Sequence, residues 1–575
     1  MTSNSDMLEL KLPPILNSFP LAVPREAQKT ALTFIQNAVE RGYRDIVIAA
    51  PTGVGKSGIG EAACLWASEL DILDHTSGGY YLVTQKMLQD QLQHDFNRFS
   101  TRFQGLASSL KSAAEYPCPD HGNCMLGGMR KKANTPENDL EKDREKDREK
   151  DGIICAKRKD GSCTYKQARS KFVSSSIAVT NYPYLFTEHT NIGVLPPRVL
   201  LVADECHTLE KQVIGFIEVS IDAETLDRWA PACRPVPKLD TVQQFSEWLD
   251  NVYLKNCKQR LEMLEVSIYR DREDEEDAKR AKTAADEYNK LNNHIRRVDY
   301  ARADIDINPD RWVFWQEPAN GDYTCTAKPL SAAPFIPDLI NSMGGIRLYM
   351  SAYPGPKGIF CRNLGLDPEN VAWLELDSTF PVENRLIHLT TVGSMGRKSY
   401  DETLPKLLRM CEAILDAHPN DKGIIHCHSY NLGKAINDHM RKSSAGGRIL
   451  FASKSSERAS VFKEHRFTTK PTVMLSPSIA EGYSFDDDLA RFQIVAKVPY
   501  PYLGDKQIAA KIEQDREWYT LETVMTILQA CGRIVRSETD HGDTYILDAD
   551  FIRLYRDNPK FFPKWFKDAF KFYSK

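Results

Sequence analysis

The sequence lacks an apolar run long enough to span a membrane, because even the strongly apolar segment 199–203 ends at Asp204. Its first residues include Asp6 and Glu9, without the basic-then-apolar order that is typical of an export signal. We therefore expect a cytoplasmic protein that is neither secreted nor bound to a membrane.

The sequence also lacks a large excess of charge of one sign. Its 75 basic and 79 acidic residues leave a formal net charge of −4, which gives no overall attraction to a polyanion. This balance disfavours a protein that passively coats nucleic acid, but not an enzyme that binds it in a local groove. The 13 cysteines argue against a disulfide framework in a cytosolic chain and are candidate metal ligands instead.

The pattern of apolar segments indicates more than one unit, because 575 residues exceed a single compact core. Short apolar segments alternate with helical patterns in two regions, which is typical of parallel sheets covered by helices. We predict an α/β fold with two such units. The predicted strands are 45–50, 80–84, 176–180 and 199–203 in the first unit, and 423–427, 472–475, 492–496 and 544–547 in the second.

Two regions interrupt the first unit. Residues 105–170 contain four cysteines and a charged repeat over 141–151, which we interpret as a solvated helix or loop. Residues 210–330 contain a charged helical stretch over 254–301. We predict that both regions are insertions into the first α/β unit.

A candidate phosphate-binding loop separates the first predicted strand from the helix after it. Gly53 and Gly55 allow the backbone amides to face phosphates, Lys56 can reach the β and γ phosphates, and the Ser57 hydroxyl can bind Mg²⁺. The alternative is an ordinary glycine-rich turn, which the flanking strand and helix disfavour. The predicted nucleotide-binding residues of this loop are Pro51, Thr52, Gly53, Val54, Gly55, Lys56 and Ser57.

A pair of acidic residues follows the apolar run 199–203. A strand end at this point would place Asp204 beside a metal ion and Glu205 where it can orient and deprotonate the attacking water. An Asp-Glu pair after a strand is usually only a turn. Together with the phosphate loop, the pair predicts a nucleoside triphosphatase that uses Mg²⁺.

A cationic segment stands near the C-terminus of the sequence. On a helix, Gln529, Arg533 and Arg536 would lie on one face, at positions i, i+4 and i+7. The stripe alone is compatible with an exposed cationic face. In a nucleoside triphosphatase the stripe predicts arginine fingers, which stabilise charge on the transferred phosphoryl group. It also predicts that the nucleotide lies between the two units.

In this order, the motifs resemble those of superfamily two helicases, specifically the XPD/DinG-like iron–sulfur branch, over nearly the whole chain. Tyr353 departs from the Ser-Ala-Thr motif of that family, and Ser484 stands where an acidic residue is frequent, with Asp486 nearby. The matching positions are Arg25 and Gln28 (adenine side), Thr84, Gln85, Leu88 and Gln91 (DNA contact), Thr180–Tyr182, Asp204–His207 (DEAH-type box), Ser351 and Ala352 (coupling), Glu481 and Gly482 (fifth motif), and Gln529, Gly532, Arg533 and Arg536 (sixth motif).

The resemblance implies two RecA-like parallel-sheet motor domains, the first of which carries an iron–sulfur insertion and a helical arch-like insertion. It implies an ATP- and Mg²⁺-dependent monomer, cytoplasmic or nuclear, that moves 5′-to-3′ on single-stranded DNA and unwinds duplex junctions. The alternatives are a translocase or RNA helicase without productive DNA unwinding, and a non-catalytic nucleic-acid scaffold. The implied domains are 1–104, 171–209 and 331–355 (motor domain 1), 105–170 (cluster domain), 210–330 (arch) and 356–575 (motor domain 2).

The four cysteines of the first insertion are candidate metal ligands. Four thiolates suit zinc or an iron–sulfur cluster, and neither pair has the tight spacing of a zinc knuckle. Unligated thiols are the third alternative. The resemblance favours a [4Fe–4S] cluster, because the family carries one at this point of the chain. The predicted ligands are Cys118, Cys124, Cys155 and Cys163, whereas Ser57 and Asp204 are the predicted Mg²⁺ ligands.

Overall fold

The structure is a computed structural model of the whole chain. It describes residues 12–99, 105–117, 163–192, 195–269, 275–319, 322–443, 445–477 and 485–571. Within these residues, no helix is both long enough and apolar enough to cross a membrane.

Ten strands lie in the first two thirds of the chain and form two sheets. Seven of them form a parallel sheet in the order β10-β1-β9-β5-β2-β4-β3, and three form an antiparallel sheet in the order β6-β8-β7. The strands are β1 (Asp45–Ala49), β2 (Thr76–Val83), β3 (Ala107–Ser109), β4 (Ile177–Asn181), β5 (Arg198–Asp204), β6 (Val219–Ile221), β7 (Trp312–Ala319), β8 (Asp322–Pro329), β9 (Gly344–Ser351) and β10 (Val371–Glu375).

The helices of this part cover both faces of the parallel sheet and build the second insertion. Apolar side chains on both faces of the sheet are buried, as in β1, where residues 46–49 are all buried. The helices are α1 (Glu26–Glu40), α2 (Lys56–Ala67), α3 (Lys86–Phe99), α4 (Thr164–Ser174), α5 (Tyr182–Ile192), α6 (Leu209–Ile217), α7 (Ala223–Trp229), α8 (Val242–Trp248), α9 (Leu254–Tyr269), α10 (Glu275–Ile307), α11 (Ile336–Leu339) and α12 (Lys357–Leu364).

A second parallel sheet of seven strands has the order β13-β14-β12-β15-β16-β11-β17. Its strands are β11 (Ile387–His388), β12 (Gly423–His426), β13 (Ile449–Phe451), β14 (Val473–Ser476), β15 (Phe492–Val495), β16 (Asp543–Ile546) and β17 (Phe570–Lys571). The helices of this part are α13 (Tyr400–Ala417), α14 (Tyr430–Met440), α15 (Arg458–Phe467), α16 (Lys506–Gln514), α17 (Arg516–Cys531), α18 (Asp550–Asp557) and α19 (Lys564–Lys567).

The α/β prediction with two parallel-sheet units is confirmed, but one domain boundary is wrong. Strand β10 pairs with β1 through Val371 opposite Asp45, so the first sheet extends beyond the boundary predicted at 355/356. A single apolar strand carries no information about which sheet it joins. The helix α12 between β9 and β10 returns the chain to the edge of the first sheet, as expected for a parallel crossover.

The second insertion is not wholly helical. Its long helices α9 and α10 occupy the charged stretch, but β6, β7 and β8 form an antiparallel sheet that the sequence analysis did not predict. The insertion has no separate core, because Tyr253 and Leu291 belong to the same buried cluster as Leu201 of β5. The insertion is therefore fixed to the first domain by continuous apolar packing.

Candidate nucleotide site between the two sheets

The phosphate loop joins β1 to α2 and has the backbone shape that its glycines allow. Gly53 and Gly55 have φ angles of +92° and +87°, in the left-handed region that favours glycine. The Lys56 ammonium donates to the Ala50 carbonyl at 3.1 Å. The loop therefore presents its amides and Lys56 at the carboxyl end of a parallel strand, where α/β proteins bind ligands.

Arg25 and Gln28 lie directly against this loop. The Arg25 guanidinium donates to the Gly53 carbonyl at 2.7 Å, and the Gln28 amide donates to the Gly55 carbonyl at 3.3 Å. The backbone N–H of Arg25 donates to Oε1 of Gln28 at 2.9 Å, which fixes the start of α1. The two residues predicted on the adenine side are therefore adjacent to the phosphate loop.

The acidic pair lies where β5 ends, beside the phosphate loop. Hydroxyls of Tyr81 and Tyr182 donate to Oδ2 and to the backbone carbonyl of Asp204, at 3.1 Å and 2.7 Å. Glu205 has a φ of +50°, and this turn directs the two carboxylates differently. Burial and the Glu205 charge raise the pKa of Asp204 to about 6. Although burial opposes it, the charges of Lys56 and of His207 lower the pKa of Glu205.

His207 connects three parts of the site. Its Nδ1 lies 2.7 Å from the Ser351 hydroxyl at the end of β9 and 3.3 Å from Oε2 of Glu205. Its Nε2 is hydrogen-bonded to the side-chain amide of Gln529 at the end of α17. The acidic box, the coupling motif and the sixth motif therefore meet at one imidazole.

The prediction that Gln529, Arg533 and Arg536 share one helical face is wrong. Helix α17 ends at Cys531 with Gly532 as its C-cap, so Arg533 and Arg536 lie in irregular chain. The cause is tertiary packing, because Ile534 and Val535 are buried in a cluster of the second domain. Burying these two apolar residues turns the chain away from the helix axis and directs the arginines to the cleft.

Two adjoining cavities, of about 760 Å³ and 1060 Å³, occupy the cleft between the sheets. Arg536 lines both of them, together with Thr52 and Glu205, whereas Arg533 and Gln529 line the larger one. The smaller cavity is lined by predicted site residues from both domains, namely Arg25, Thr52, Gly53, Gly55, Lys56, Ser57, Asp204, Glu205 and Arg536.

The residues of the smaller cavity fit a nucleoside triphosphate with Mg²⁺. The buried Nε of Arg536 has no hydrogen-bond partner within the described part of the chain, and a buried donor of this kind calls for an anion. Ser57 and Asp204 carry oxygen atoms of the kind that Mg²⁺ prefers and could hold such an ion beside the phosphates. No group of three or more His, Cys, Asp or Glu side chains arranged for a metal exists in the described ranges.

Phe380 is a site residue that the sequence analysis missed. It belongs to the segment between β10 and β11, lines both cavities and packs with Ile534 of the second domain. A Cβ atom on Gly53 would lie only 2.0 Å from the Phe380 ring. No motif surrounds Phe380, so only the structure could place its ring on the phosphate loop.

Three of the four predicted cluster ligands, Cys118, Cys124 and Cys155, lie outside the described residues. Cys163 is described, and it is buried at the start of α4. The two segments that flank residues 118–162 lie next to each other, because the Thr164 hydroxyl donates to the Pro117 carbonyl at 2.6 Å. Glu481, Gly482 and Ser484 also lie outside the described residues, whereas Asp486 lines the larger cavity.

Comparison with known proteins gives two family matches along the chain. Residues 21–227 match the family "Type III restriction enzyme, res subunit", and residues 411–569 match "Helicase C-terminal domain". The first match includes the phosphate loop and the acidic box, and the second includes the sixth motif. Fold and cleft therefore define a two-domain helicase core.

Relatives in sequence are named as helicases. The ATP-dependent DNA helicase YoaA of Haemophilus influenzae is 21% identical over 609 aligned positions, which cover 91% of each chain. The Regulator of telomere elongation helicase 1 homolog of Caenorhabditis briggsae is 27% identical over 107 residues, but the match spans only 10% of that protein's length and 16% of this chain.

Solved structures share the fold. An XPD helicase structure matches with a TM-score of 0.59 at 17% identity, covering 95% of this chain and 98% of the other. Xpd4 of S. tokodaii matches with a TM-score of 0.56 at 13% identity, covering 96% and 100%. Over nearly its whole length the chain is thus similar to ATP-dependent DNA helicases in sequence and to XPD helicases in fold.

The conformation of the loop predicts a specific effect of Gly55→Ala. A Cβ at this position would combine a φ of +87° with an approach of 2.4 Å to Nε2 of Gln28. We expect nucleotide affinity to fall at least about fivefold, because the strain exceeds roughly 1 kcal/mol. Titration with a fluorescent ATP analogue measures this affinity.

Gly58→Ala is the matched control, since a Cβ there has only ordinary contacts, at 3.5 Å from Gln28 and Phe19. Its nucleotide affinity should stay close to that of the unchanged protein. Equal affinities for the two variants would contradict the role of the loop.

Proposed function

We propose that this protein is an ATP-driven motor that moves on single-stranded DNA and separates duplex DNA. One observation carries the proposal: the phosphate loop and acidic box of the first domain and Arg536 of the second line a single cavity. A nucleotide in that cavity would contact both domains at once. Its hydrolysis would then change how the domains are held together, as a motor requires.

The predicted catalytic and nucleotide-binding residues of the two cavities have defined roles in this proposal. Gly53, Gly55 and Lys56 bind the phosphates, while Ser57 and Asp204 hold Mg²⁺, which would neutralise charge on the β and γ phosphates. Glu205 orients the attacking water and accepts its proton. Arg533 and Arg536 stabilise negative charge that develops on the transferred phosphoryl group.

His207 is proposed to transmit the nucleotide state to the DNA-binding surface. It contacts Glu205 on the nucleotide side, Ser351 in the coupling motif and Gln529 in the second domain. A change in the position of Glu205 would therefore reach the other two residues through one side chain. Thr84 and Gln91, which we propose near the DNA path, line the same cleft.

A 5′-to-3′ direction and a preference for DNA over RNA are proposed from the family resemblance and from the relative named as an ATP-dependent DNA helicase. We likewise propose a monomer that acts at junctions of single-stranded and duplex DNA, in the cytoplasm or nucleus. A translocase that does not unwind, an RNA helicase and an inactive scaffold are the competing functions. The complete set of catalytic side chains in one cleft disfavours the scaffold.

A [4Fe–4S] cluster is proposed for the first insertion, with Cys118, Cys124, Cys155 and Cys163 as ligands. The observation that supports it is the hydrogen bond between Pro117 and Thr164. Cys118 directly follows Pro117 and Cys163 directly precedes Thr164, so the chain holds the attachment points of the first and fourth ligands together. Such a cluster would tie the insertion to motor domain 1.

Arg536→Ala should separate ATP binding from ATP hydrolysis. The phosphate loop stays intact, so binding should be retained, whereas loss of the transition-state cation should lower DNA-stimulated turnover by roughly a thousandfold. Binding is measured with a fluorescent analogue and turnover by phosphate release. Strand displacement with matched DNA and RNA duplexes shows which substrate the intact protein unwinds.

Arg556→Ala is the control, because that side chain is 72% exposed and pairs only with Asp557 among the described residues. It should hydrolyse ATP normally. Loss of ATP binding in Arg536→Ala would show that the residue is misassigned. Hydrolysis by the intact protein without displacement of any duplex would favour the translocase.

Cys163→Ser tests the cluster independently of activity. Protein purified without oxygen should contain about four iron and four sulfide ions per chain, and the variant should lose most of both. Cys233→Ser, a buried cysteine outside the set, should keep them. Zinc at one ion per chain, or unchanged iron in Cys163→Ser, would contradict the proposed cluster.

A further inference from the structure

A buried ion pair joins the two motor domains away from the nucleotide cavities. The Lys511 ammonium of α16 is hydrogen-bonded to Oε1 of Glu210 in α6. Side-chain exposures are only 8% for Lys511 and 10% for Glu210. Two charges that are this well shielded interact strongly, but each becomes costly if the other is removed.

Trp518 of α17 completes this arrangement. Its indole Nε1 donates to Oε2 of Glu210 at 3.0 Å, so both carboxylate oxygens are hydrogen-bonded. The Lys511 ammonium lies 4.3 Å from the Trp518 ring centroid, within the range of a cation–π contact. We name Glu210, Lys511 and Trp518 the interdomain triad.

The triad connects the two halves of the nucleotide site through rigid elements. Glu210 is on α6, which follows the acidic box 204–207 after a single short turn. Trp518 begins α17, and Gln529 lies near the other end of the same helix, where it contacts His207. Helix α17 is thus held on the first domain at both ends, by the triad and by His207.

The geometry of the triad is more selective than apolar packing would be. The neighbouring interface includes Leu521 of α17 against Gly355 of the first domain, and apolar contacts of this kind tolerate sliding. An ion pair with two hydrogen bonds to one carboxylate has a single satisfied arrangement, since any shift leaves a buried charge unpaired. The triad therefore specifies one register of α17 on α6.

We propose that the interdomain triad is a positioning element that sets the register of α17 on α6. It thereby aligns Gln529, Arg533 and Arg536 with the nucleotide. This inference rests on the proposed ATPase function. The proposed effect is on the placement of second-domain residues. The phosphate loop and Arg25 belong to the first domain and should keep their positions. The triad residues act through α17 and do not contact the nucleotide.

Two isosteric changes and their combination test the proposal on the full chain. Glu210→Gln and Lys511→Met each leave one buried charge without its partner. We expect each to lower the kcat of DNA-stimulated ATP hydrolysis by roughly ten- to a hundredfold, the effect of a misplacement near 1 Å. Affinity for ADP should change less than about twofold, because the phosphate loop is untouched.

The double variant Glu210→Gln/Lys511→Met leaves no buried charge unpaired, so its melting temperature should recover toward that of the unchanged protein. Its kcat should stay at least about tenfold lower, because no ion pair remains to fix the register of α17. Trp518→Phe keeps the ring but loses the indole donor, and should give an intermediate kcat. Arg362→Met is the control: Arg362 contacts Asp515 at the start of α17 across the same interface, but is 51% exposed. It should change kcat less than about twofold.

The outcomes separate the positioning role from a structural one and from the proposed function. Single variants with the kcat of the unchanged protein would overturn the proposal, as would a double variant that regains full kcat, since the register would then not depend on the ion pair. Loss of ADP affinity in parallel with kcat would indicate general unfolding and also overturn it. If the unchanged protein itself hydrolysed no ATP, the proposed function would fail first. Should the single variants fail to fold, the double variant and Trp518→Phe still decide the question.

Discussion

The proposed motor activity depends on the contact between the end of β5 in the first domain and residues 529–536 in the second. His207 touches Gln529 directly, and Arg536 faces the cavity that contains Lys56 and Glu205. Charged groups that are largely shielded from solvent interact strongly, and a triphosphate with Mg²⁺ would offset the charges of this site. The phosphate loop alone would only bind a nucleotide, whereas in the proposed function this contact would let hydrolysis change how the two domains are held together.

The two parallel sheets make this contact possible, because each directs its functional residues to the carboxyl ends of its strands. The phosphate loop follows β1, the acidic box follows β5, and Ser351 ends β9, and these three strands are neighbours. Helix α17 then bridges from the interdomain triad to His207. From Trp518 to Gln529 the helix rises by about 17 Å, so a small error in register at one end is carried to the catalytic end.

Much of the fold and of the nucleotide site could be predicted from the sequence, because strand periodicity and the phosphate loop are local signals. The strands predicted at 45–50 and 199–203 correspond to β1 (Asp45–Ala49) and β5 (Arg198–Asp204), and Lys56 and Asp204 line one cavity. What failed was non-local. Strand β10 belongs to the first sheet because it pairs with β1, which its sequence does not indicate. The helix ends before Arg533 and Arg536 because Ile534 and Val535 are buried in the second domain. Phe380 and the Glu210–Lys511 pair join residues far apart in sequence, and no spacing rule connects them.

The most direct test is a crystal structure of the protein with a non-hydrolysable ATP analogue and Mg²⁺. The account predicts one nucleotide whose γ-phosphate is contacted by Lys56 from the first domain and by Arg536 from the second. A nucleotide held by the first domain alone, with Arg536 directed into a separate cavity, would contradict it.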